Sequence, residues 1–171
     1  MDQALFDEHL SRAISSPSSY ERFECAWKAF NVLFDADATS EDDKEGKLFR
    51  DAARRIEPDA AAIFNHISLH SLVSIEPIFE EKRWRRAGVK DTRRHREVRD
   101  RLKQVGTRPA TGEDLRALVD LLNVIRCNLV HGLKTPDRPR DQEVLDASAP
   151  ILLTVVQAAH AYQVKRGRDS A

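Results

Sequence analysis

Residues 113–132 have the sequence EDLRALVDLLNVIRCNLVHG, the strongest helical pattern in the chain. The apolar side chains recur every three or four residues, the spacing that places them on one face of an α-helix. Gly132 stands where a helix commonly ends, because glycine readily adopts the left-handed conformation of a C-terminal cap. The pattern predicts an amphipathic helix whose apolar face is formed by Leu115, Leu118, Val119, Leu122, Leu129 and Val130.

The same period continues on both sides of this segment. Residues Tyr20–Phe34 carry an aromatic stripe and predict the helix with the largest core side chains. The serines at 15–19 separate it from a short opening helix around Phe6–Ile14 and can cap its first turn. Further elements are predicted at Leu48–Ile56, at Ala60–Val73, along a narrow seam of Val98, Leu102 and Val105, and at Asp141–Val164 with a kink at Pro150.

The composition agrees with a helical fold. In a chain of 171 residues, aromatic side chains make up only 6% and glycines number six, which argues against a sandwich or barrel of short strands. A chain of this length most simply forms one domain. We therefore expect a single all-α, up-and-down bundle of about five or six helices over residues 1–165, with a disordered tail at 166–171.

Two classes of site are excluded by the spacing of cysteines and histidines. Cys25 and Cys127 are too far apart in sequence for a zinc ribbon or a disulfide framework. His66 and His70 are four residues apart, but no further ligand accompanies them, so neither a metal nor another cofactor is expected.

The N-terminus lacks a basic and apolar leader, and no apolar run approaches the ~20 residues of a membrane span. These features predict a cytoplasmic protein with no membrane contact.

Arg126 interrupts the apolar pattern of residues 113–132. It follows Leu122 by four residues and precedes Leu129 by three, so it falls within the apolar face, where an arginine is costly unless paired or functional. His131 follows five residues later, about 140° around and about 7.5 Å along a helix, so both side chains could reach one groove. Alternatively, Arg126 pairs with a buried carboxylate or helix carbonyls, and His131 caps the helix.

Residues 125–132, Ile-Arg-Cys-Asn-Leu-Val-His-Gly, resemble the R-x(4–6)-H signature of HEPN domains. In that family the motif lies near the end of one helix of a small α-helical bundle. The loop at Lys134–Asp137, followed by Arg140-Asp141 and a closing amphipathic helix, is similar to the family's usual continuation. The aromatic stretch from Phe23 to Asn31 also resembles an early helix of some branches. Asn31 itself either assists the site or holds a neighbouring helix.

The resemblance implies a metal-independent endoribonuclease, such as a toxin or antiphage effector, in which Arg126 and His131 of two protomers meet across a homodimer interface. Arg126 would hold the scissile phosphate, and His131 would act as general acid or base. Many active members carry a polar residue directly after the arginine. This chain has Cys127 there, and Asn128 is the candidate to supply the missing amide.

Partners follow from the same resemblance. The substrate would be RNA, and any antitoxin would be a separate protein. The alternative is a non-catalytic HEPN-like module that uses the same groove to bind RNA, a nucleotide or a protein.

A basic strip, defined as Lys82–Arg108, holds twelve lysines and arginines against three acids, a net charge of +9. It could neutralise phosphates and offer one stacking surface. It is also compatible with a solvated helix supported by a Glu97–Arg101 pair. Asp35–Glu45 carries a net charge of −5 and could meet the strip within or between protomers. The predicted RNA-binding residues are Arg83, Trp84, Arg85, Arg86, Arg93, Arg94 and Lys134.

The overall charge hides this strip. The 28 basic and 28 acidic residues sum to zero, which excludes a protein that is basic all over but not an anionic ligand.

Overall fold

The computed structural model describes residues 2–35, 53–75, 92–130 and 138–169. In these ranges the chain is helical without a strand, apart from one isolated bridge between Val105 and Arg108. This confirms the predicted all-α bundle. The helices are α1 (Gln3–Ser15), α2 (Ser19–Asp35), a 3-10 turn (Glu57–Asp59), α3 (Ala60–Asn65), α4 (His70–Ser74), α5 (Thr92–Lys103), α6 (Gly112–Val130) and α7 (Pro139–Asp169).

Helices α1 and α2 form a tightly connected antiparallel hairpin. The Ser18 hydroxyl accepts a hydrogen bond from the Glu21 amide at 3.4 Å, which confirms the predicted serine cap of α2. The buried Ser16 hydroxyl donates to the Glu21 carboxylate at 2.9 Å and accepts from the Ser18 amide at 3.1 Å. The turn therefore satisfies the hydroxyl of its one buried residue, Ser16.

The core is built around α2, and α7 is the helix packed most extensively on it besides α1. The predicted aromatic stripe is buried, with Phe23, Trp27 and Phe30 between 1% and 4% exposed. Their ring centroids follow each other at 6.5 and 6.4 Å, within the range of aromatic pairs. At the far end, the Gln163 amide donates to the Leu33 carbonyl at 2.9 Å and joins α7 to α2.

The prediction of one helix from Ala60 through Val73 was wrong, because the chain breaks at residues 66–69. At 100° per residue, the eight steps from Phe64 to Leu72 would turn Leu72 about 80° away from the face of Phe64. The break lets both helices reach the core, with Phe64 8% exposed and Leu72 fully buried. The His66 amide bonds back to the Ile63 carbonyl at 3.0 Å, which closes the last turn of α3.

Helix α7 is longer than predicted and runs through Pro150 to Asp169, so residues 166–169 are helical where a disordered tail was expected. Pro150 is exposed, and the Thr154 hydroxyl donates to its carbonyl at 3.0 Å. By length and composition, Pro139–Lys165 could cross a membrane, contrary to the expectation that no stretch could. Core helices meet the same criterion, and half of its most apolar window is buried inside the bundle.

Candidate functional site

Arg126 lies in the last part of α6, at the edge of that helix's buried face. Its neighbours Leu122 and Ile125 are fully buried, whereas Arg126 is half-buried. The guanidinium carbon lies 5.6 Å from the ring centroid of Trp27 on α2, a cation–π distance. The side chain therefore crosses apolar surface and places its charge over an aromatic face, which makes an arginine tolerable at this position.

Trp27 provides a fixed platform for that charge. The residue is 4% exposed, and its ring packs between those of Phe23 and Phe30 along α2. A side chain held on both sides in a close-packed core has little freedom to change rotamer. The sequence identified Trp27 only as a core residue, and no signal in the pattern pointed to its contact with Arg126.

Asn128 and Cys127 do not extend this arrangement. A spacing of two residues turns a helical side chain by about 200°, and Asn128 is 4% exposed. Asn128 is therefore directed to the core rather than beside Arg126. Cys127 is half-buried, and its thiol is 3.8 Å from the Asn123 side-chain oxygen, a weak hydrogen bond.

Most of the other predicted site residues lie outside the described residues. This holds for His131 and Lys134, which follow α6, and for Arg83, Trp84, Arg85 and Arg86 of the basic strip. Arg93 and Arg94 belong to α5, but their side chains are also outside the described part. Of the predicted catalytic and RNA-binding residues, the structure thus gives side-chain geometry for Arg126 and Asn128.

A second charged cluster, centred on Asp114, was not predicted. Asp114 is fully buried in the first turn of α6. Its carboxylate accepts from both terminal nitrogens of Arg108 at 2.6 and 2.7 Å, and from Arg101 Nε at 2.8 Å. The Thr111 amide and hydroxyl add bonds of 2.8 and 2.9 Å. These donors, Arg108 first, outweigh burial and hold the pKa of Asp114 well below its usual range.

The sequence did contain a signal for this cluster. Thr111 and Asp114 are separated by two residues, the spacing of a capping box, in which the third helical residue bonds back to the cap amide. The cap was hidden by its position directly after a loop rich in glycine and proline. Its consequence for the basic strip is direct, because Arg101 and Arg108 bind acidic side chains within the protein rather than remaining available for an external anion.

An open cleft of about 840 Å³ adjoins the Asp114 cluster. Positive and negative side chains alternate along its wall, where Arg116 pairs with Glu57 at 2.7 Å and Arg101 pairs with Glu113. A side-chain carbon on Gly112 would lie 2.8 Å from Glu57 Cγ, so the glycine allows this close approach. The ion pairs give the cleft a structural role between α5, α6 and the 3-10 turn.

Within the part of the chain that the structure describes, no group of three or more His, Cys, Asp or Glu side chains is placed to hold a metal ion. No family model matches the sequence, and no curated protein or solved structure is significantly similar to it. Among the described residues, Arg126 over the Trp27 ring is therefore the best candidate for a binding or catalytic residue.

Proposed function

We propose that this protein is a metal-independent endoribonuclease of HEPN type that acts as a homodimer. The observation that supports it most is Arg126, a half-buried residue at the edge of the buried face of α6 whose guanidinium lies over Trp27. A cation–π contact uses the flat face of a guanidinium, whereas phosphate binding uses the N–H groups on its edge. The two contacts are therefore compatible, and Arg126 can serve as a phosphate ligand.

The proposed reaction uses the 2′-hydroxyl of RNA as nucleophile. The 2′-oxygen attacks the neighbouring phosphorus and the bond to the 5′-oxygen breaks, giving a 2′,3′-cyclic phosphate and a 5′-hydroxyl. One proton leaves the 2′-hydroxyl and one joins the departing 5′-oxygen. His131 takes one of these roles as general base or acid, and Arg126 offsets the charge that grows on the phosphate oxygens.

The cellular role that accompanies this chemistry is an effector whose activity damages RNA, as in a toxin or an antiphage defence protein. The net charge of +9 in the basic strip supports an anionic substrate, although two of its arginines, Arg101 and Arg108, bind the buried Asp114 and stabilise the fold. A separate antitoxin protein is the proposed partner. The active form is a homodimer, which would bring the Arg126 and His131 residues of two protomers to one cleft.

The test is to incubate purified protein with total RNA, including tRNA, in the presence of EDTA. Wild type is expected to cut RNA to fragments with 2′,3′-cyclic phosphate ends, and His131→Ala is expected to lose cleavage while remaining folded and dimeric. His66→Ala, which changes an exposed histidine of the chain, is the matched control and should cut like wild type. If wild type leaves RNA intact and its expression is harmless to cells, the catalytic proposal fails.

A second candidate function is a non-catalytic module that binds RNA at the same place. It is favoured by two observations: the polar amide of Asn128 is buried, and the residue that follows Arg126 is Cys127. Wild type would then bind an oligoribonucleotide with a salt-dependent affinity and return it uncut. An Arg126→Ala variant that loses binding, in a protein without nuclease activity, would support this second function over the first.

A further inference from the structure

We infer that Trp27 is a positioning residue that orients the Arg126 guanidinium toward an RNA phosphate. This inference rests on the proposed role of Arg126 and extends it to a residue on another helix. The guanidinium carbon lies 5.6 Å from the Trp27 ring centroid, and the two residues belong to α6 and α2. The contact therefore joins the candidate site to the aromatic core.

The burial of Trp27 limits how this residue can affect RNA binding. At 4% exposure the indole is too deeply buried to stack on an RNA base itself. Its ring packs against those of Phe23 and Phe30, at centroid distances of 6.5 and 6.4 Å. Any effect of Trp27 on RNA must therefore act through the charge that lies over its face.

Ordering the arginine before RNA arrives is the physical benefit of this contact. An arginine side chain has many rotamers, and fixing one of them during binding weakens affinity. A guanidinium that already lies over a rigid ring has lost part of that freedom during folding. Tryptophan is also the aromatic side chain that attracts cations most strongly. The contact thus restrains the orientation of the guanidinium before RNA binds, and bidentate phosphate binding depends on that orientation.

The contact itself is tested by NMR of the arginine Nε–H group, with the Arg126 signal assigned by its loss in Arg126→Lys. In wild type, the indole ring current should shift this signal upfield, and Trp27→Leu should move it to the range of exposed arginines. Phe6→Leu is the matched control, because it also truncates a fully buried aromatic ring, one that stacks on His160. An unshifted wild-type signal, or one unchanged by Trp27→Leu, would overturn the inference.

The functional consequence is tested with an oligoribonucleotide made uncleavable by 2′-O-methylation. Trp27→Leu should weaken binding roughly five- to tenfold, the equivalent of having to order one arginine side chain during binding, while Phe6→Leu binds like wild type. Trp27→Phe keeps a smaller aromatic face and should restore most of the affinity, which also keeps the test decisive if Trp27→Leu does not fold.

The outcomes separate the two proposals. A ring-current shift together with equal binding by wild type and Trp27→Leu overturns the positioning role and leaves the RNA site standing. A wild-type protein that neither binds nor cuts RNA overturns the proposed function, and the positioning role with it.

Discussion

Arg108 binds both carboxylate oxygens of Asp114, with nitrogen–oxygen distances of 2.6 and 2.7 Å. Arg101 reaches the same carboxylate from α5 at 2.8 Å. One buried acid thus fastens the end of α5, the following loop and the start of α6. Because the carboxylate is fully buried, its charge is tolerable only while these donors remain in place.

Replacing Asp114 by asparagine should destabilise the fold. The variant keeps the shape of the side chain but leaves two arginines without their buried counter-charge, and we expect the free energy of unfolding to fall by at least about 2 kcal/mol. Urea denaturation followed by circular dichroism measures the change. Glu113→Gln is the matched control, since Glu113 pairs with the same Arg101 but is 61% exposed, and its loss should cost less than about 1 kcal/mol. Equal losses in the two variants would contradict the structural role of Asp114.

The same carboxylate should make the protein sensitive to acid. Arg108 and the other donors hold the pKa of Asp114 below its unfolded value of about 3.9. A depressed pKa in the folded state stabilises the fold above the unfolded pKa, and this contribution is lost as the pH falls through the folded pKa. Urea midpoints measured between about pH 6 and pH 2.5 should therefore decline most steeply below about pH 4. Asp114→Asn should show a shallower decline over this range, and identical slopes would count against the assignment.

Arg126→Lys should separate charge from geometry at the candidate site. Lysine keeps the positive charge but lacks the planar fork that binds a phosphate through two parallel hydrogen bonds. If Arg126 holds the scissile phosphate, kcat/KM for RNA cleavage should fall by at least roughly tenfold. Arg55→Lys is a suitable control, because Arg55 also lies over an aromatic ring, that of Phe34 at 5.9 Å, but is not assigned to the site. Equal activity of wild type and Arg126→Lys would show that only charge matters there.

The charge of the basic strip predicts how the affinity for RNA depends on salt concentration. Arg96 and Lys103 are exposed on α5, and Arg101 donates to the buried Asp114. If α5 contacts RNA, replacing Arg96 or Lys103 by glutamine should reduce the slope of log affinity against log salt by about 0.7 for each lost contact to a single strand. Arg101→Gln should instead lower the thermal stability and leave that slope unchanged. The slopes come from fluorescence anisotropy at several salt concentrations, and unchanged slopes for both the Arg96 and the Lys103 variant would remove these α5 residues from the RNA interface.

Helical periodicity predicted those helices whose buried face follows from the spacing of apolar residues within the helix itself. Helices α1, α2 and α6 were found near their predicted bounds, because their apolar residues keep one register over several turns. The break between α3 and α4 was missed, since each half is apolar and only the three-dimensional core decides that Phe64 and Leu72 must both point inward. Periodicity carries no information on such a change of direction.

The candidate site was predictable only in part, for a related reason. Arg126 violates its helix pattern, so the sequence alone marks it. Its platform, Trp27, lies about a hundred residues earlier and fits its own pattern as an ordinary core residue. A contact between two helices distant in sequence depends on how the helices pack. The Asp114 cluster combines a local capping box with arginines from α5 and the loop, and only the local part leaves a trace in the sequence.

The position of Trp27 has an optical consequence. It is one of two tryptophans in the chain, the other being Trp84, and its indole is shielded from water with a cation over its face. Replacing Trp84 by phenylalanine would leave Trp27 as the single tryptophan, which can be excited at wavelengths where tyrosine does not absorb. The emission wavelength and intensity of Trp27 would then report a change in the position of the Arg126 guanidinium without any attached label.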